Sequence, residues 1–305
     1  MNESSNDRPN DSSGGLAAGS AAPERHGVLN DHTPGADAPP IRLGALDVEA
    51  YLGDPNRKQQ FVTPMFDVIA PRYDAFTRLF SFGMDAAWKR EALDAAVAAV
   101  KSRTRLAALD LACGTGDIAV ALAVALPGLR VTGVDASPRM IQEAEQRLRL
   151  AAEDAAIPGS ASLPAHVRDR IDVRVGDMMA LDAGSASIDI VTAGYGVRNV
   201  PDAAVAVREM ARVLRPGGTL VTLDFYRPEL SLWRALLLGY LTVAGNLVGW
   251  LWHRDPVVYG YISRSIEHFM SWQAFSALLE REGFVVDRVV RHLGGGIALH
   301  VATRR

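Results

Sequence analysis

The sequence predicts a doubly wound α/β fold around a seven-stranded sheet, mostly parallel with an antiparallel last strand. Three observations carry that expectation. Seven short apolar runs enriched in β-branched residues follow one another along the chain, amphipathic helical periods separate them, and a glycine-rich turn follows the first run. Strands that alternate with helices in this way form parallel sheets covered on both faces.

The elements follow in order. Residues 1–40 hold five Pro, five Gly, five Ser and no aromatic residue, which leaves too little apolar surface to offset the entropy of ordering. Residues 1–45 are therefore expected to be a disordered acidic tail, and 46–305 the folded domain. The tail has neither the basic start and apolar stretch of a secretory signal nor the arginine-rich composition of a transit peptide. From about residue 57 helix and strand alternate, with strands expected at 106–112, 129–134, 171–175, 188–193, 219–225, 284–290 and 297–302. Ser137-Pro138 opens one helix with a capping hydroxyl and a proline at the first helical position, and Met140, Ala144 and Leu148 continue it. Val207, Met210, Ala211 and Leu214 mark a second helix, stopped by Pro216-Gly217-Gly218, and Phe275, Leu278 and Leu279 a third that leads to Gly283. About six residues around Gly294-Gly295-Gly296 join the last two strands, fewer than a parallel crossover needs, so the final strand should be antiparallel.

Composition removes several function classes. Lys and Arg total 32 against 35 Asp and Glu, a formal net charge of −3, so the basic footprint of a nucleic-acid partner is missing. Six acids and two arginines of that total fall within residues 1–40, which leaves the rest of the chain close to neutral. Cys113 is the sole cysteine, so an intrachain disulfide is impossible, and the seven histidines never take H-x-x-x-H spacing. No metal is expected, and the cytoplasm is the expected compartment.

The most informative stretch is Leu109-Asp110-Leu111-Ala112-Cys113-Gly114-Thr115-Gly116-Asp117. Glycines at Gly114 and Gly116 let the backbone approach a ligand at the carboxyl edge of the sheet, where helix N-terminal amides also point. Asp135 ends the second strand, where a carboxylate can accept from both ribose hydroxyls. The spacing Gly114-x-Gly116-x-x-Ala119 also fits a dinucleotide site. Asp110 and Asp117 argue against that, because anions beside a pyrophosphate cost energy whereas they suit a cationic ligand. S-adenosyl-L-methionine carries an ammonium and a sulfonium. Asp177, after the third strand, is placed to accept from an adenine amino group while the Met178 amide donates to the ring.

At these residues the sequence resembles class I, Rossmann-like methyltransferases, and more closely the ubiquinone/menaquinone biosynthesis C-methyltransferase family. The resemblance runs from about Phe61 to His300. It rests on Phe66-Asp67-x-Ile69-Ala70-x-x-Tyr73-Asp74, on Ser81-Phe82-Gly83 followed by Trp88-Lys89-Arg90, and on the glycine turn. Further along it rests on Gly196-Val197-Arg198-Asn199-Val200, Arg212-Val213-Leu214-Arg215-Pro216-Gly217-Gly218 and Ala298-Leu299-His300. The family implies cofactor contacts at Thr115, Asp135, Asp177, Met178 and Gly194, an N-terminal helical lid over about 57–101 bearing Tyr73, and carbon methylation of a prenylated quinol. The expected chemistry has Arg198 stabilise the phenolate or position a water that takes the proton, with Asn199 and Tyr73 orienting the ring, and demethylmenaquinol is preferred to a ubiquinol precursor. The chain departs from the family's common residues at Thr77, Asp85, Asp224 and Tyr226, and by an insertion of roughly a dozen residues near 151–165.

Residues 235–252 run eighteen positions without a charge, enough to cross a bilayer. A span there would cut the last two strands from the sheet they complete. An apolar helical insertion over about 230–270 is expected instead, offering a peripheral membrane contact for an isoprenoid tail or a homodimer face. Cys113 is expected to pack in its turn, and His300 to be a satisfied strand histidine. The rival classes are a methyltransferase of another lipophilic aromatic, a nucleotide-binding oxidoreductase, and a non-catalytic membrane-associated scaffold.

Overall fold

A computed structural model describes residues 55–100, 106–153, 163–253 and 257–305. The expected tail, and most of the expected insertion near 151–165, lie outside the described residues. The seven strands are β1 (Leu106–Leu111), β2 (Leu129–Asp135), β3 (Ile171–Val175), β4 (Ile188–Gly194), β5 (Leu214–Phe225), β6 (Phe284–His292) and β7 (Ile297–Arg304). They form one sheet in the order β3-β2-β1-β4-β5-β7-β6. β1, β2, β3, β4 and β5 pair in parallel, whereas β7 runs antiparallel to both β5 and β6. The short connection Leu293–Gly295 forces that reversal.

Order reverses between β1 and β4, so the carboxyl ends of these strands diverge into the crevice where such sheets bind ligands. Alternation along each strand splits the core into two layers. On one face Leu109, Val191 and Leu220 pack with Val207 and Met210 of α7 (Ala203–Val213) and with Phe275 and Leu279 of α10 (Trp272–Arg281). On the other, Ala108, Ile190 and Val221 pack with Trp88 and Ala92 of α3 (Met84–Ala99) and with Leu122 of α4 (Asp117–Ala125). The expected lid segment therefore divides. Its helix α3 belongs to the sheet's covering layer, while α1 (Pro55–Ile69) and α2 (Tyr73–Phe80) border the crevice.

α5 (Pro138–Glu153) starts where the sequence placed it, with the Ser137 hydroxyl accepting from the Met140 amide at 3.1 Å. The same hydroxyl donates to Asp67 of α1 at 2.5 Å, tying that helix to the sheet edge. One boundary differs from expectation. Leu214 is extended (φ −66°, ψ 143°) and opens β5, so α7 stops at Val213, before Pro216-Gly217-Gly218. Arg215 precedes a proline and resists helical backbone, and the register shift between the pairs Ile188–Leu214 and Ile190–Thr219 puts the surplus residues on β5, where Gly217 takes φ +74°.

A short helix, α6 (Ala165–Arg168), precedes β3, and a helical pair, α8 (Ser231–His253) and α9 (Val257–His268), follows β5. Leu237 and Leu241 of α8 pack with Ile266 of α9, and Val248 and Tyr261 close over Phe61, Val62 and Met65 of α1. Among the described residues, α8 is the one helix long and apolar enough to cross a membrane. One side of it is nevertheless buried in the protein, and Trp233 donates to the Leu293 carbonyl at 2.7 Å beside the final strand.

Candidate functional site

The backbone leaving β1 turns sharply. Ala112, Gly114 and Gly116 all take left-handed φ (+51°, +54° and +88°), and the Gly114 amide donates to Asp135 Oδ2 at 2.8 Å. Asp135 Oδ1 accepts from the Ser137 amide at 2.9 Å, so the carboxylate is fixed between two strand ends. Burial raises its pKa, against the pull of the Ser137 and Gly114 amides. A Cβ on Gly194 would lie 2.7 Å from Ile118 Cδ1, and one on Gly176 would lie 2.8 Å from Val134 Cγ1. Packing at the crevice margin therefore requires glycine at both positions. Asp135, Asp177, Met178, Gly114 and Gly194 line it, with Val62, Phe66 and Tyr73 opposite.

Other expected residues lie elsewhere. Asp110 is buried beneath the turn, accepting from the Thr192 hydroxyl at 2.7 Å, and burial pushes its pKa up to about 7. Asp117 pairs with Lys89 and with Arg147, at 3.0 Å each. Neither residue lines the crevice, so the charge argument built on them is corrected: Asp110 is too deep and Asp117 is already neutralised. The crevice is anionic all the same, through Asp135 and Asp177, and no Lys or Arg among the described residues lines it. Thr115 and Gly116 shape the turn from behind, the Thr115 hydroxyl donating to Asp74 of α2 at 3.0 Å. Cys113 is buried with its pKa raised well above the ordinary value by burial, and His300 is buried against Ser276 at 3.0 Å with its pKa lowered to about 4.

A second cavity of about 370 Å³ adjoins the crevice and is almost wholly apolar. Phe66, Tyr73 and Tyr195 line both, forming a wall between them. Arg198 and Asn199 divide across that wall: Arg198 faces the apolar cavity and Asn199 the crevice. The Asn199 amide donates to the Tyr195 carbonyl at 3.1 Å and its oxygen accepts from Tyr261 at 3.2 Å. Asn199 lies on the crevice side with one partner at each end of its amide.

Arg198 Nη1 donates to Asp224 Oδ1 at 2.8 Å and to the Tyr195 carbonyl at 2.7 Å. Its Nε has no hydrogen-bond partner among the described residues. Burial disfavours the guanidinium charge, but Asp224 reverses the balance and holds its pKa above the usual value. Lys58 of α1 donates to the Arg198 and Val200 carbonyls at 2.7 and 2.8 Å, and burial first, then Arg198, lowers its pKa to about 8.

Tyr195, Asp224 and Lys58 were missed as site residues. Asp224 carried a readable signal, an acid near the end of a strand beside Gly194. Tyr195 stood between two glycines and carried none. It takes a left-handed φ of +59°, a strained conformation for a bulky residue, and its buried hydroxyl has no partner among the described residues.

Comparison with known proteins agrees with this geometry. Residues 55–304 match the ubiE/COQ5 methyltransferase family. Over 251 residues the chain is 33% identical to a demethylmenaquinone methyltransferase of Lactiplantibacillus plantarum, covering 82% of this chain and 98% of that protein. Over 247 residues it is 36% identical to a ubiquinone/menaquinone biosynthesis C-methyltransferase UbiE of Syntrophotalea carbinolica, covering 79% and 92%. Among solved structures the cyclase SpnF aligns with a TM-score of 0.51 at 18% identity, covering 81% of this chain and 96% of its own, a likeness that shows the fold alone.

Proposed function

The chain belongs to the ubiE/COQ5 methyltransferase family, and from that premise we propose that it methylates a ring carbon of a prenylated quinol, with demethylmenaquinol preferred to a ubiquinol precursor. S-adenosyl-L-methionine is the methyl donor, and when bound it supplies an electrophilic methyl on a sulfonium. The observation that carries the reading is the shared wall. An anionic crevice free of Lys and Arg suits a cationic donor, an apolar cavity suits an isoprenoid quinol, and Phe66, Tyr73 and Tyr195 lie where the two meet.

The crevice fits the donor on its own terms. Gly114, Gly176 and Gly194 line it, and Asp135 and Asp177 offer the carboxylates that ribose and an adenine amino group require. Gly114, Asp135, Asp177, Met178 and Gly194 would hold it, with Asp110, Thr115 and Gly116 supporting the turn. On the other side, the Arg198 side chain, which lines the apolar cavity, stabilises the phenolate from which the ring carbon draws its nucleophilicity. Tyr73, held protonated by burial, orients the ring from the wall. α1 and α2 act as the lid, latched by Lys58 and by Asp67.

The long tail is accommodated at the mouth. Phe82, Leu236 and Tyr240 line the cavity and are also 74%, 59% and 39% exposed, so the cavity opens onto the outer stripe of α8. That stripe continues through Leu232, Val243, Leu247 and Trp250. Such a face supports peripheral attachment of a cytoplasmic enzyme to the inner surface of the membrane. Purified protein incubated with the donor and short-chain demethylmenaquinol should give a product heavier by one methyl in mass spectrometry. Methylation of a different lipophilic aromatic, with none of the quinol, would replace this substrate assignment.

A further inference from the structure

We propose that Asp85 accepts the ring-hydroxyl proton during methyl transfer. The proposal rests on the quinol reading above and supplies the proton acceptor which that chemistry needs.

Carbon methylation of a neutral quinol releases one proton. The ring carbon's electron pair forms the bond to the methyl, the carbon–sulfur pair stays on sulfur, and the hydroxyl proton must leave for the oxygen to push charge into the ring. The ring C–H proton then returns to the oxygen side as aromaticity is restored, so one proton in total passes to solvent.

Few groups beside the cavity can take that proton. Arg198 is permanently protonated. Burial raises the pKa of Tyr73, Tyr195, Tyr240 and Tyr261, which leaves them as donors. Asp85, on the first turn of α3, is the one carboxylate among the described residues that lines the apolar cavity. The Asp85 side chain is 11% exposed and Oδ1 accepts from the Ser81 hydroxyl at 2.7 Å, which fixes it in place.

A cation also stands beside the carboxylate. Asp85 Oδ2 lies 3.8 Å from Lys89 Nζ, Lys89 lies 3.0 Å from Asp117, and Asp117 lies 3.0 Å from Arg147. Against the pull of burial, Asp117 holds the Lys89 pKa above its usual value, so the ammonium keeps its proton and steadies the Asp85 carboxylate within an apolar wall. Tyr195 faces Asp85 from the sheet, Lys89 from its own helix and Ser81 from the preceding turn.

The test compares Asp85→Asn and Asp85→His with the unaltered enzyme. Asparagine can still accept from Ser81 but takes no proton, so kcat at pH 7 should fall at least 50-fold, on the scale of general-base losses. Melting temperature and the dissociation constants of donor and quinol should change little. Turnover of Asp85→Asn should climb toward pH 10 as the quinol ionises unaided, and Asp85→His should recover a large part of the neutral-pH rate. Unchanged turnover in Asp85→Asn beside an active parent would overturn the assignment. A loss that is equal at every pH and unrelieved by histidine would overturn it too, because it would mark a structural role. If the parent methylates no quinol at all, the substrate reading fails and the assignment fails with it.

Discussion

Arg198 and Asp224 form a fully desolvated ion pair at the floor of the apolar cavity, 2.8 Å apart, with side chains 6% and 0% exposed. Asp224 also accepts from the backbone amides of Arg198 and Phe225, at 3.1 and 2.7 Å. The guanidinium is therefore aimed by one carboxylate that has little freedom of its own, while its carbon lies 5.2 Å from the centre of the Phe225 ring. Removing one partner strands the other charge in apolar surroundings. Asp224→Ala should cost about 3–5 kcal/mol in chemical denaturation. A loss below about 1 kcal/mol would show that water reaches the pair.

Arg198 itself is expected to matter after binding. It lines the apolar cavity, whereas the crevice residues are separate from it. Arg198→Met should keep donor affinity in calorimetry and lose most of its turnover, because stabilisation of a developing phenolate is stronger in the transition state than in the ground state. Equal turnover at saturating substrates would remove Arg198 from the chemistry.

Much of this was legible in the chain, and the parts that were not share a cause. All seven strands followed from apolar runs, and the reversed last strand from a connection too short to cross over. The glycine turn and Asp135 followed from spacing, since local backbone demands are written in local residues. Asp110 and Asp117 misled because partners decide what a charge can do: Thr192 and Lys89 lie 82 and 28 residues away and left no mark nearby. Tyr195 was invisible for the same reason, its importance arising only where β4 meets the second cavity.

Asp135 offers the direct test of the crevice. Both of its oxygens already accept backbone amides, and each retains a further lone pair for a ribose hydroxyl. Asp135→Ala should weaken donor binding by about 1.5–3 kcal/mol, the scale of hydrogen bonds to a charged group. Calorimetry with the parent as reference reads this directly, and unchanged affinity would move the ribose elsewhere.

Asp110 predicts a pH dependence of stability. Its pKa rises from 3.8 to about 7 on folding because burial outweighs the Thr192 and Ala119 hydrogen bonds. The folded state thus holds a proton that the unfolded chain has released, and the group costs nothing below about pH 4. The cost grows between pH 4 and 7 and then levels off, approaching on the order of 4 kcal/mol. Asp110→Asn removes the titration. Its stability relative to the parent should therefore rise from pH 5 to pH 8, whatever the offset at the acid end. A difference that stays flat across this range would mean that Asp110 is ionised in the fold.

The proposed membrane attachment and the proposed catalysis use different faces of α8, which variants can separate. Leu232, Val243 and Leu247 are 71%, 70% and 55% exposed, whereas Leu237 and Leu241 are 6% and 4% exposed and line the cavity. Burying each methylene in a bilayer contributes about 0.8 kcal/mol, while a nearly neutral folded body gains little from anionic lipid. Attachment to vesicles should then resist high salt. Replacing Leu232, Val243 and Leu247 together by Ser should release the protein from vesicles and spare turnover on a short-tailed quinol. Leu237→Ser with Leu241→Ser should instead lower turnover on long-tailed quinols, alongside the stability loss expected of buried leucines. If the outer variant changes sedimentation of the free protein from dimer to monomer and leaves vesicle binding intact, the stripe is an interface between two copies and the bilayer assignment falls.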